Sequence, residues 1–200
     1  MRREEFDIQD DALKLDFLAQ CEYGTLSLVD AEKKPYGVPV NFACYQDGIV
    51  FHGAIEGKKH SLLAQNPYAS FCVIRAYSLI PSYFSHTSLA CPATQLFGSM
   101  LLEGKVRLIE DLEQKADALN VLMQKVQREG RYDVISRSNP AYTKMLNSVA
   151  VFYLPIEHSS FKLKLGQNLT QERKNLLIQE LEKRATPLDQ ETLSLIKQYT

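Results

Sequence analysis

The chain has 200 residues, 45% of them apolar and 24% charged, with a formal net charge of −1. These values fit a globular domain with a sizeable core. The near-neutral balance excludes a global field that would draw the protein to nucleic acid or a membrane surface.

The start, MRREEFDIQDD, is charged and lacks an apolar signal segment. No apolar run reaches the ~18 residues of a membrane span. Asp10 to Cys21 places Leu13, Phe17 and Leu18 at helical spacing behind acidic residues. YGTLSLVD alternates as a strand, and AEKKPYG reads as a turn. VPVNFACYQDGIVFHGA reads as two strands about an Asp47-Gly48 hairpin turn. GKKHSLLAQNP is a short helix ending before Pro67, and YASFCVIRAYSLI is a strand. Residues 81–92 form an aromatic loop. TQLFGSMLLEGKVRLIED is a long strand, with Gly98 and Gly104 predicting a bulge or bend. LEQKADALNVLMQKVQREG is an amphipathic helix with Gly130 as its stop. VAVFYLPI is a strand, and SSFKLKLGQN alternates Phe161, Leu163 and Leu165 inward. Two helices close the chain, the first capped by Thr170 and the second begun by Pro187.

Hairpin-linked strands between helices predict a mainly β fold with α: an antiparallel β-barrel with flanking helices. We expect residues 1–168 to form the barrel domain and 169–200 a helical extension packed on it. Cys21, Cys44 and Cys72 sit in apolar runs and read as buried thiols in a reducing, cytoplasmic compartment. Cys91 stands before a proline. No cysteine has a CxxC partner or a histidine at metal spacing, so no metal site is expected.

The stretch FHGAIEGKKHSLLAQNP carries the chemistry. Gly53 and Gly57 free the backbone, and Lys58 and Lys59 open the next helix, where N–H groups and the helix dipole favour an anion. Spacing alone favours the plainer reading of solvated lysines that offset Glu56. His52, likewise, is more often a satisfied histidine than a catalyst.

VPVNFACYQDGIVFHGAIEGKKHSLLAQNPYASFCV resembles the flavin-binding half of the pyridoxamine 5'-phosphate oxidase-like split barrels. The VP-N-F strand, FHGA--GKK and the following NP are similar to the nitroimidazole-resistance branch. FGSMLLEGKVRLIED is similar to a later family strand. The KL-QN tail resembles that branch and the flavin-binding Pai-type regulators. The resemblance implies a split antiparallel β-barrel that binds FMN near the interface of a homodimer. Lys58 and Lys59 would hold the phosphate, each charge-assisted contact contributing about 1.5–3 kcal/mol. The backbone of His52, Gly53 and Ala54 would line the flavin, as would Pro39, Val40 and Asn41, with Ser99 near the cofactor. His52 is the candidate side chain at the ring.

Gly57 and Lys58 stand where true pyridoxamine phosphate oxidase has Ser and Arg in its S-R-K motif. A hydroxyl donor and a bidentate fork are therefore absent. The expected activity is a flavin-dependent oxidoreductase of the nitroreductase type acting on a small molecule. Tyr83, Phe84, His86 and Cys91 either form its substrate pocket or cap the barrel from a surface loop. Two alternatives are a haem-binding or haem-degrading split barrel, with His52, His60, His86 or His158 as ligand, and a non-catalytic flavin-binding regulator. The tail QERKNLLIQELEKR has too little net positive charge for a DNA-binding helix.

Overall fold

The structure is a computed structural model that describes residues 3–85 and 88–199. In chain order the elements are α1 (Asp11–Gln20), β1 (Tyr23–Val29), β2 (Pro35–Asn41), β3 (Ala43–Tyr45), β4 (Gly48–Ala54), α2 (Lys58–Gln65), β5 (Tyr68–Ile80), β6 (Thr94–Lys105), β7 (Arg107–Ile109), α3 (Leu112–Val126), α4 (Pro140–Ser148), β8 (Val149–Pro155), β9 (His158–Lys164), α5 (Gln171–Arg184) and α6 (Pro187–Tyr199). Short 3₁₀ turns add Glu4–Phe6 and Ser82–Ser85. The strands form two antiparallel sheets, ordered β2-β1-β5-β6-β9 and β3-β4-β8-β7. No helix among the described residues is long and apolar enough to cross a membrane. The chain divides into two compact units, one drawn from residues 1–9, 74–99 and 160–200, the other from 10–73 and 100–159.

In the second unit, Asp10 caps α1 by accepting from the N–H groups of Ala12 and Leu13, and Phe17 and Leu18 go inward. β1 and β2 pair from Tyr23 with Asn41 to Val29 with Pro35. PYG is therefore strand, not turn. β2 is an edge of its sheet, where a proline costs no ladder bond.

The expected single strand before the hairpin is really β2 and β3, separated at the fully buried Phe42, where the chain changes sheet. The hairpin turn is Gln46-Asp47, with Tyr45 opposite Gly48. Gln46 takes the positive φ of 51°. Gly48 serves a different need: a Cβ there would lie 2.2 Å from the Leu154 carbonyl oxygen. Asp47 accepts a short hydrogen bond from the Tyr153 hydroxyl. Burial and this carboxylate push the Tyr153 pKa up to about 12.

β6 runs unbroken through Gly98 and Gly104. The break before β7 falls at Val106, whose N–H bonds to the Pro67 carbonyl at 2.8 Å. α3 buries Ala116, Ala118 and Leu122, the last two packing with Ala43, Val50, Ile109 and Val151. It ends at Val126, four residues short of Gly130, and Val126 is exposed. α4 was not anticipated; Asn139 caps it and Pro140 opens it.

In the first unit, Phe161, Leu163 and Leu165 point inward as the alternation predicts. Thr170 caps α5, its hydroxyl accepting from the Arg173 N–H. Ala185 ends α5 in the left-handed region, at φ 51°. Left-handed geometry costs a non-glycine residue roughly 1–2 kcal/mol. Ala185→Gly is therefore expected to raise stability by about 1 kcal/mol, read as a higher urea midpoint; a lower midpoint would show that the methyl group is needed. Thr186 and Asp189 then satisfy each other's backbone N–H groups at 3.2 and 3.1 Å, a capping box for α6.

None of the four cysteines forms a disulfide. Cys21 is buried, Cys44 and Cys72 are half-buried, and Cys91 is exposed. Burial raises the thiol pKa of Cys44 and Cys72, which leaves both poor nucleophiles at neutral pH.

Candidate functional site: a lysine pair at the start of α2

The β4–α2 junction lies wholly in the second unit. β4 buries Ile49, Val50 and Phe51 and then surfaces at His52. The register against β8 places Phe51 opposite Phe152 and Gly53 opposite Ala150. The Phe51 and Phe152 rings stack with centroids 5.3 Å apart. Gly57, at φ 115°, turns the chain into α2, and no side chain caps that helix. Its first-turn N–H groups thus keep their affinity for an anion.

Lys59 folds back over the junction. Its Nζ donates to the His52 carbonyl at 3.0 Å and lies 5.4 Å from the centroids of both the Phe51 and Phe152 rings. A Cβ on Gly53 would come within 2.6 Å of this nitrogen. Gly53 is thus the space that the ammonium occupies. Burial lowers the Lys59 pKa. Burial, and then the Lys59 charge, lower that of His52, which keeps the imidazole neutral at neutral pH. Lys58 is more exposed and rests 4.5 Å over the Tyr36 ring of β2. No carboxylate pairs with either lysine among the described residues, Glu56 included.

The structure thus joins His52, Gly53 and Lys59 by direct contact, and Lys58 to β2. Tyr36, Val38 and Val40 share one strand face; Pro39 and Asn41 belong to the other. The Asn41 amide donates to the Glu22 carbonyl at 3.2 Å. Ala54 is exposed at the end of β4. Tyr36 and Phe152 are contributors that the sequence reading missed. Tyr36 lay in the segment taken for a turn, and Phe152 is far along the chain, where only strand register reveals it.

Ser99, Tyr83, Phe84 and Cys91 belong to the first unit. Ser99 is half-buried on β6, Tyr83 and Cys91 are exposed, and Phe84 is 5% exposed. Phe84 packs edge-on to Tyr83 and lies beneath the Arg184 guanidinium, 5.1 Å from its ring centre. His86 lies outside the described residues. Of the other histidines, His60 packs against Phe152 at 6.0 Å, and His158 is exposed at the start of β9.

Comparison with known proteins places this architecture. A family model described as pyridoxamine 5'-phosphate oxidase matches residues 10–163, and the chain belongs to that family. A solved structure from Bacteroides thetaiotaomicron, proposed as a 5-nitroimidazole antibiotic resistance protein, is 27% identical, with a TM-score of 0.64 over 78% of this chain and 85% of that one. The fold is thus the split barrel, near the nitroimidazole-resistance branch. Two further structures share the fold at 20% identity. The FAD- and haem-binding protein of Mycobacterium smegmatis has a TM-score of 0.66 over 79% of this chain and 73% of its own. The flavocytochrome Anf3 of Azotobacter vinelandii has 0.68 over 82% and 72%. No curated protein matches the sequence significantly.

Proposed function

We propose that the protein binds FMN, holding the phosphate at the start of α2, and works as a flavin-dependent oxidoreductase on a small organic molecule, a nitro compound being the favoured class. The observation that carries this is the Lys59 ammonium. It is partly desolvated, seated over Gly53, free of any carboxylate partner among the described residues and adjacent to an uncapped helix start. That donor set fits a phosphate monoester: two cations belong to the same uncapped first turn, where a dianion would relieve both the helix dipole and the desolvated charge. The likeness to the 5-nitroimidazole resistance protein supports the nitro class, and the FAD- and haem-binding neighbours support the flavin.

Bound flavin supplies the redox chemistry. The chain's own residues bind and orient it. Lys59 and Lys58 fix the phosphate end. The His52-Gly53-Ala54 backbone gives a flat, small-residue approach. His52, held neutral, is a hydrogen-bonding neighbour rather than a fixed charge. We propose a homodimer with the flavin near the interface, as the family resemblance implies.

The test is an absorbance and fluorescence titration of the whole protein with FMN, riboflavin, FAD and haemin in parallel. The expected result is FMN bound roughly tenfold or more tighter than riboflavin, which lacks the phosphate. Equal affinities would remove the phosphate clamp. Tighter FAD than FMN would overturn the choice of flavin, and a Soret band without flavin binding would move the protein to the haem-binding alternative.

A further inference from the structure

The first unit holds a cavity of about 580 Å³ that the flavin reading does not use. Its apolar wall is Ile80, Phe84, Leu96, Leu169, Leu176 and Leu177. Its cationic rim is Arg3, Lys164 and Arg173, beside the capped start of α5 at Thr170. Arg3 leans toward Glu5 at 3.9 Å. Neither Lys164 nor Arg173 pairs with a carboxylate among the described residues, and Glu172 is the one carboxylate among the described lining residues.

Lys164 is the informative group. It leaves β9 half-buried, and its ammonium donates a short hydrogen bond to the Thr94 hydroxyl. Burial lowers its pKa, and the charges of Lys162 and Arg3 lower it further. A cation in a repulsive, partly desolvated position has much to gain from an anion.

We propose that this cavity binds an amphipathic organic monoanion, a carboxylate whose apolar body fills the Ile80–Phe84–Leu177 wall while its head meets Lys164 and Arg173. The volume lies within the range of sites that enclose organic ligands. An inorganic anion would leave most of the apolar wall against water. Two unpaired cations with Glu172 beside them suit one negative charge better than two. The inference needs only the geometry of the first unit and does not rest on the flavin reading.

The test is isothermal titration of the full chain with decanoate, decanol and inorganic phosphate, run with and without FMN. Decanoate is expected to bind at least roughly tenfold tighter than decanol, and phosphate to give no heat at the same site. Lys164→Gln should weaken decanoate roughly tenfold and leave decanol unchanged. Lys162→Gln, one alternation earlier on the strand and outside the cavity wall, should change decanoate less than threefold. Leu176→Trp, which fills the cavity, should abolish both amphiphiles. Circular dichroism confirms that each variant is folded. Equal binding of decanoate and decanol would overturn the proposal. So would equal losses in Lys164→Gln and Lys162→Gln, full competition by phosphate, or no binding by a folded protein. FMN affinity measured on the same samples keeps the two readings apart, because Lys164 is not among the proposed phosphate-binding residues.

Discussion

Asp189→Ala is expected to destabilise the first unit by about 3–5 kcal/mol, the cost of breaking a buried ion pair from one side. Asp189 is fully buried. Its Oδ1 accepts from Arg184 and from the Ser78 hydroxyl, both at 2.5 Å. Its Oδ2 accepts from Arg184 Nε at 2.8 Å and from the Thr186 hydroxyl and N–H at 2.7 and 3.1 Å. One carboxylate thus joins β5, the α5 terminus and the α6 cap. Of its acceptors among the described residues, alanine would leave the Arg184 guanidinium only the Leu79 carbonyl, and it would take from the Ser78 hydroxyl its shortest hydrogen bond. At about 2–4 °C per kcal/mol for a chain of this size, melting should fall by roughly 6–20 °C. The pH dependence has a definite sign. Arg184, with help from Ser78 and Thr186, holds the Asp189 pKa far below its ordinary value of 3.8. The unfolded chain therefore takes up the proton first. The stabilisation is complete above the ordinary carboxylate pKa and is lost as pH falls below it toward the folded value. Asp189→Asn should lack that acid-dependent slope. A change below 1 kcal/mol in Asp189→Ala would mean that the network is replaceable by water.

Lys59→Ala is expected to weaken FMN by about 1.5–3 kcal/mol, roughly ten- to a hundredfold in Kd, with melting unchanged or slightly higher. The asymmetry follows from geometry. The Lys59 ammonium is desolvated between Gly53 and two phenylalanine rings, so its charge is weakly screened and its removal relieves a burial cost. Lys58 is more exposed, and its variant should lose only a few-fold because water and salt screen it. The pH profile separates a phosphate contact from simple packing. Burial places the free Lys59 pKa below 10.5. FMN affinity should therefore decline with rising pH before the ordinary lysine value is reached, and Lys59→Ala should abolish that limb. Equal losses in the two single variants would argue against a phosphate seated at Lys59.

The contrast between these predictions shows what could be read from the sequence. The α2 lysines are a local feature: glycines, a strand end and a helix start stand within a dozen residues, so the junction and its candidate residues were legible. Asp189 was not. Its partners Ser78 and Arg184 come from other elements, and only the Thr186 capping spacing hinted at it. Among the elements, β5 and α2 were read with their ends because Asn66-Pro67 and Pro81 punctuate them. The split between β2 and β3 was hidden because alternation continues across Phe42, and only the choice of sheet differs. Pro35 suggested a turn because edge position, which makes proline tolerable, is a property of the folded sheet. Gly98 and Gly104 suggested a bend, yet at Gly104 the missing side chain makes room for the Pro155 carbonyl. α4 escaped for want of strong periodicity, although Asn139-Pro140 carried its start signal.

The Gln46-Asp47 turn has the shape of a loop tip, the kind of place where related chains usually gain and lose residues. Here the Asp47 carbonyl accepts from the Ile156 N–H at 3.2 Å, and its carboxylate holds the Tyr153 hydroxyl. Both ends of that tie are fixed by the β4–β8 register. An insertion of even one residue would pull Asp47 off β8 and shift Gly48 from its place against the Leu154 carbonyl, where a side chain would clash. In divergent homologues, length variation should therefore collect in the β1–β2 connection and leave this turn at two residues.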